Sequence, residues 1–441
     1  MALRLKLEPH TTEQHKENEC TNGFSDHLQL GDINIPRLIE DCLENIGSAR
    51  GKVCILSIDG GGMRGIIAGR MLAYLEEALQ RKSGNPEARI ADYFDIAAGT
   101  STGGIIATML FTADQQGRPL FKGEDTWKLI AEKGKSIFSI PFLHRPFAKL
   151  RGLLSPRYSA KNLQQVLKEI LARDGRPLTL RDTLKALLIP CYDLNSAGPF
   201  LFSRAGAFDS EAWDFPLWEI CRATTAAPSF FKPAKVTSMD CKTTCTAVDG
   251  GLVMNNPTGA AITHVLHNKL EFPAVRGVRD LLVLSLGTGQ FDQTYHYKKV
   301  RRWGAFQWAK PIVNVMMDGI SDMVDQIVSM AFGASRQNYL RIQASGLSEA
   351  VLSEMDDPSA RNVKRLLKLA DDLLQQNSSE YLPFGGKMEL VQTNAERLDW
   401  FADQLIHEHK ARIMQKLPPS ATSINHTPIT PAEEKLQFDV S

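Results

Sequence analysis

Nowhere in this chain do eighteen apolar residues follow one another, the run that a membrane-crossing helix needs. The first twenty residues, MALRLKLEPHTTEQHKENEC, are charged and polar and lack the apolar core of a secretory signal, so a cytoplasmic setting is expected. Charge of one sign is also missing. Across 441 residues the formal net charge is +1, which leaves no global field to hold nucleic acid, and any charged partner must be met locally. Cysteine is scarce. Seven residues, an odd number, fit reduced thiols better than a disulfide framework, and Asn377 and Asn425, which open Asn-X-Ser/Thr triplets, are expected to stay unglycosylated. Cys241 and Cys245 form a lone CxxxC with no second ligand pair at metal spacing, and neither an EF-hand loop nor H-E-x-x-H occurs. No metal and no other cofactor is expected. There is no internal repeat.

What is present is a globular chain, 43% hydrophobic, whose texture changes along its length. Residues 1–48 read as a polar N-terminal arm with one short helical pattern, IPRLIEDCLENI. From residue 49 to 345 apolar runs alternate with helical patterns. KVCILSI, YFDIAAG, KALLIPCY, TAVDG and DLLVLSLGTG read as strands, and the stretches between them as helices. That alternation predicts an α/β domain with a mostly parallel central sheet flanked by helices. Residues 346–415 read as a helical C-terminal extension, and 416–441, rich in proline and polar residues, as a disordered tail.

Two glycine-rich turns follow the first two strands. The first, DGGGMRG, runs from Asp59 to Gly65, and its Gly60, Gly61, Gly62 and Gly65 let backbone N–H groups approach something negative. Gly60, Gly62 and Gly65 also satisfy G-x-G-x-x-G, so a dinucleotide site has to be weighed. The second strand argues against it. A dinucleotide site wants an acid at that strand's end, whereas here the strand runs into Gly99-Thr100-Ser101-Thr102-Gly103. That G-x-S-x-G places Ser101 on a tight strand-to-helix turn, the setting of a nucleophilic hydroxyl.

A serine hydroxyl needs a base. Asp249, at the end of an apolar strand and followed by Gly250 and Gly251, is the candidate, provided burial lifts its basicity above that of a free carboxylate. The alternative is a Ser-His-Asp triad, since Ser101, Asp249 and then His264 or His267 follow the order of an α/β-hydrolase. Both histidines lie inside one helical pattern, PTGAAITHVLHNKL, which is the wrong place for a triad histidine.

DGGGMRG, GTSTG and AVDGG, in this order and after strands, resemble the patatin-like phospholipase family, and ATTAAPSFF, LSLGTG and NYLRIQ extend the likeness over roughly residues 50–345. The plant patatin-like branch is the most similar. The resemblance implies a three-layer sandwich and a lipid acyl hydrolase that works without metal. It implies Ser101 as nucleophile, Asp249 as its direct base, and the amides of Gly61 and Gly62 with the Arg64 side chain as oxyanion stabilisers. It also implies release of fatty acid from membrane glycerolipids, phospholipid or galactolipid, through an acyl-enzyme. A histidine-dependent esterase and a noncatalytic lipid- or nucleotide-binding module remain as alternatives.

A soluble enzyme must meet such lipids at a membrane surface, which predicts peripheral contact. Between Lys133 and Lys168 there is no Asp or Glu, and Lys135, Arg145, Lys149, Arg151 and Arg157 interleave with Phe138, Phe142, Phe147 and Leu150, the composition of a membrane-facing flap. A second stretch, WGAFQWAKPIVNVMMDGISDMVDQIVSMAF, is rich in Met and Trp at helical spacing and reads as core rather than as a lipid channel.

Overall fold

The computed structural model describes residues 51–139, 155–290, 295–344, 355–382 and 386–416. The N-terminal arm, the polar tail and the middle of the proposed flap, with Phe142, Arg145, Phe147, Lys149, Leu150 and Arg151, lie outside the described residues.

The five apolar runs become strands of one eight-stranded sheet, joined by three strands that the sequence pattern does not single out. The first four are β1 (Val53–Ile58), β2 (Ile96–Gly99), β3 (Ala186–Asp193) and β4 (Gly198–Ser203). The others are β5 (Ala234–Thr237), β6 (Thr244–Asp249), β7 (Leu281–Leu286) and β8 (Tyr339–Ile342). Their order is β8-β7-β1-β2-β3-β6-β5, with β4 also paired to β3. The pairs from β8 to β3 are parallel, and those of β3 with β4 and β6, and of β5 with β6, are antiparallel.

Both faces of the central strands are covered, which is why they read as continuous apolar runs. Alternate residues divide between two cores. Cys54, Leu56 and Ile58 of β1 and Leu282, Leu284 and Leu286 of β7 join one cluster, whereas Ile55, Leu281 and Val283 join the other. The larger core is built with α1 (Gly65–Ser83), α2 (Thr102–Phe111), α3 (Gly123–Ile137), α4 (Ala160–Ile170) and α5 (Leu217–Thr224). The smaller is built with α6 (Thr258–His267) and the end of α7 (Ala305–Phe332). The result is the expected helix–sheet–helix sandwich.

Beyond the sheet, α8 (Ala360–Gln375) and α9 (Asn394–Lys416) place Leu366, Leu373, Leu398, Phe401 and Leu405 in the larger core. Ion pairs Arg70–Asp371 at 3.0 Å and Lys82–Asp403 at 2.8 Å tie them to α1. Between them lies an antiparallel pair, β9 (Asn377–Tyr381) and β10 (Lys387–Thr393), where the sequence pattern predicts only helix.

Helix α7 departs from the core reading of its Met-rich sequence. Val328 and Phe332 are buried, but Ile312, Val315, Met316, Met323, Ile327 and Met330 are exposed. Polar residues turn inward with Val328 and Phe332. Asp325 is fully buried and Ser321 nearly so, each hydrogen-bonded to a side chain from another part of the chain.

Candidate active site

Three loops converge at the C-terminal ends of the central strands. On one edge of β3, β2 pairs as far as Leu188, and β6 then takes over, with Cys191 opposite Asp249. The last residue of β6 therefore comes beside the turn at which β2 ends.

Ser101 sits on that turn with φ 53 and ψ −123, a conformation that costs on the order of 1–3 kcal/mol for a non-glycine residue. Its surroundings enforce it. The Ser101 amide donates to the buried Thr224 hydroxyl at 2.9 Å, and the Thr100 hydroxyl donates to the Met254 carbonyl at 2.6 Å. A Cβ on Gly99 would lie 2.2 Å from the Gly103 carbonyl oxygen, and one on Gly103 would lie 2.3 Å from that of Ile58. Larger residues would force strand and helix apart.

The Ser101 hydroxyl donates directly to Asp249 Oδ2 at 2.8 Å. Asp249 is 6% exposed, and its other oxygen accepts the Gly251 amide at 2.8 Å. Burial pushes its pKa up to about 6, opposed by those two hydrogen bonds and by the positive charge of Arg222. Arg222 is itself buried. One of its terminal nitrogens donates to the Lys232 carbonyl at 2.5 Å, and its guanidinium lies 5.6 Å from the centre of the Phe231 ring.

The glycine loop forms the facing wall. Gly60 is held through its amide by the Asn255 carbonyl at 3.2 Å and through its carbonyl by the Thr288 hydroxyl at 2.5 Å. Gly62 has φ 58, and a Cβ there would lie 2.4 Å from the Met355 carbonyl oxygen, which also accepts the Met63 amide at 2.8 Å. The amides of Gly61 and Gly62 make no hydrogen bond among the described residues, and both residues line the same cavity as Ser101 and Asp249. Gly65 opens α1, and Gly250 and Gly251 carry the chain from β6 into the helical turn Gly251–Met254.

Arg64 is brought to the loop but not to the cavity wall. Its guanidinium donates to the carbonyls of Gly289 at 2.9 Å and Gly61 at 3.4 Å. Beneath the loop Asp59 meets Arg341 of β8 in a two-armed ion pair at 2.7 and 3.0 Å, and Arg341 also reaches Asp325 at 3.0 Å. All three are buried. Neither His264 nor His267 lines the cavity, and α6, which carries them, packs in the other core.

The cavity has a volume of about 510 Å³. Its wall is apolar, with Ile105, Leu129, Ile130, Phe138, Leu163, Val166, Leu167, Phe230, Phe231 and Leu252. Arg157 at the rim pairs with Asp356 at 2.6 Å, and the Tyr158 hydroxyl donates to the same carboxylate at 2.5 Å. Of the proposed flap, Phe138 and Arg157 thus belong to the cavity.

Several of these residues escape a reading of motifs. Thr224 and Arg222 lie in or beside ATTAAPSFF, Thr288 in LSLGTG and Arg341 in NYLRIQ, so the segments carry a signal although the individual roles do not. Asn255 and Met355 act through backbone carbonyls, which leave no signature.

Among known proteins, the sequence profile of the family described as "Patatin-like phospholipase" matches residues 56–262. Patatin-like protein 6 of Arabidopsis thaliana is 53% identical over 383 residues, spanning 85% of this chain and 76% of that protein. Patatin-like protein 7 of the same plant is 51% identical over 382 residues, spanning 86% and 77%. A further Arabidopsis thaliana protein, "Probable inactive patatin-like protein 9", is 45% identical over 386 residues, spanning 87% and 93%.

Proposed function

Because this chain belongs to the patatin-like phospholipase family, we propose that it is a lipid acyl hydrolase acting on membrane phospholipids and galactolipids with Ser101 as nucleophile and Asp249 as base. The observation that carries this reading is the 2.8 Å hydrogen bond from Ser101 to Asp249 at the wall of a deep apolar cavity.

The chemistry is two acyl transfers. Asp249 takes the Ser101 proton as the oxygen attacks the ester carbonyl, and the lysolipid or glycerol product leaves with a proton returned from Asp249. Water, deprotonated by the same carboxylate, then releases the fatty acid and restores the serine. With its pKa near 6 the carboxylate is ionised at neutral pH, yet far more basic than a free aspartate. The oxyanion is stabilised by the uncommitted amides of Gly61 and Gly62. Arg64 acts at one remove, through the carbonyl of Gly61. The acyl chain occupies the apolar slot between α2, α3 and α4, and the headgroup stays at the rim, which implies peripheral contact with a membrane.

Fatty-acid release from mixed-lipid vesicles tests the proposal. Ser101→Ala and Asp249→Asn each lower the rate on the order of 10³-fold or more, and His264→Ala and His267→Ala leave it within about twofold. Equal loss in a histidine variant would replace the dyad with a triad. No release by the wild-type chain from any lipid or ester would leave a lipid-binding protein, as the name of the relative "Probable inactive patatin-like protein 9" makes necessary to ask.

A further inference from the structure

Helix α7 is amphipathic in the inverted sense. Beside Val328 and Phe332, which pack in the smaller core, its inward residues are polar and committed: Asp325 to Arg341, Tyr339 and Asn256, Ser321 to Asn255, and Asp322 to Gln290 at 2.5 Å. Its outward residues are apolar. Every exposed described residue from 312 to 331 is Ile, Val, Met, Gly or Ala, with Met323 at 54%, Ile327 at 57% and Met330 at 53% exposure. With Trp308 they form one stripe about 33 Å long at 1.5 Å per residue. Packing among the described residues does not explain it, since water-facing helices place their polar side outward.

The flanking charge says what covers the stripe. From residue 293 to 317 there is no Asp or Glu, while Lys298, Lys299, Arg301, Arg302 and Lys310 are present. The first four are exposed and make no ion pair among the described residues. Beside them Tyr297 is 75% exposed, and Trp303 meets Trp308 edge to face at 5.1 Å. Cations and aromatic rings next to an apolar stripe are the composition of a helix lying in a headgroup layer. No helix among the described residues is long and apolar enough to cross a membrane, so this one rests on the surface. The same helix also sends Met317 into the wall of the Ser101 cavity, near Gly251.

We infer that the outer face of α7, with the cations at 298–302, is the surface by which this chain docks on a bilayer containing anionic lipid, setting the cavity against its substrate. The inference rests on the glycerolipid reading above for its purpose, but its test does not. Sedimentation with phosphatidylcholine vesicles, with and without phosphatidylserine, measures docking, and hydrolysis of the soluble ester p-nitrophenyl butyrate measures the catalytic centre. Wild type binds the mixed vesicles more tightly. Lys298→Gln/Lys299→Gln/Arg301→Gln/Arg302→Gln weakens that binding on the order of 10³-fold. Met323→Glu/Ile327→Glu/Met330→Glu abolishes it on both vesicle types, with soluble-ester hydrolysis unchanged in both variants.

Vesicle binding that is absent from the wild type, or equal in wild type and both variants, overturns the inference. So does a wild-type dimer in analytical ultracentrifugation that the glutamate variant converts to monomer, which would assign the face to a second copy. Loss of vesicle binding in the variants of a chain that hydrolyses no ester would leave the docking surface standing while the catalytic reading falls.

Discussion

At the serine corner Ser101, Asp249, Thr224 and Gly60 are tied to one another or to the neighbouring turns by hydrogen bonds, whereas on the outer face of α7, a helix that reaches the same cavity through Met317, the exposed side chains are apolar. The corner sits where β2 and β6 follow one another along β3, so its geometry is held by the sheet. The α7 face is held only by the groups on the opposite side of its own helix. Two uses of a side chain are thereby separated: the corner depends on fixed positions, and the outer face on area and charge alone. Substitutions in the first should be costly and specific, and in the second cheap for folding and costly only at a membrane.

The sharpest contrast lies beneath the glycine loop. Arg341→Met leaves Asp59 and Asp325 buried without their counter-charge, and should lower unfolding free energy by about 3–5 kcal/mol in urea denaturation. A loss under about 1 kcal/mol would mean that the loop is not anchored there.

Asp249 should show the opposite sign. Its pKa is about 6 in the folded chain and about 3.9 unfolded. The folded state therefore binds the extra proton between those values, and ionisation penalises folding in full above pH 6. Asp249→Asn should be more stable than wild type by roughly 1–3 kcal/mol at pH 8, with the gain gone below about pH 4. The same carboxylate should make kcat/KM rise with pH through about 6, and Arg222→Met, by removing a charge that favours the anion, should move that rise to higher pH. A rise centred near pH 4 would contradict the desolvated base.

The smallest effect belongs to the α7 face. Ile327→Glu should change unfolding free energy by no more than about 0.5 kcal/mol, because the site is already in water. A loss of several kcal/mol would erase the contrast by showing that the face is covered.

The five strands that read as apolar runs, and both glycine turns, were legible because each is a local event: a short apolar run, then glycines where backbones touch, whereas Gly198–Ser203, Ala234–Thr237 and Tyr339–Ile342 joined the sheet without such a run. Ser101 and Asp249 shared that advantage, since Asp249 ends a strand and Ser101 sits on the turn just after one. The partners that fix them did not. Thr224 reaches Ser101 across 123 residues and Arg341 reaches Asp59 across 282, and a hydrogen bond over such a distance imposes no spacing. Helix α7 was legible as a helix but not in its facing, since periodicity separates two sides without saying which looks inward. The β9–β10 hairpin was missed because NSSEY and KMELVQT are largely polar and only one residue of the pair of strands is fully buried.

The most direct test of the dyad is covalent. A fluorophosphonate probe should label the wild-type chain on a single peptide at Ser101, with labelling slowed on the order of 10³-fold in Asp249→Asn and unchanged in His264→Ala and His267→Ala. Label on another residue, or labelling that depends on either histidine and not on Asp249, would contradict a serine activated directly by an aspartate.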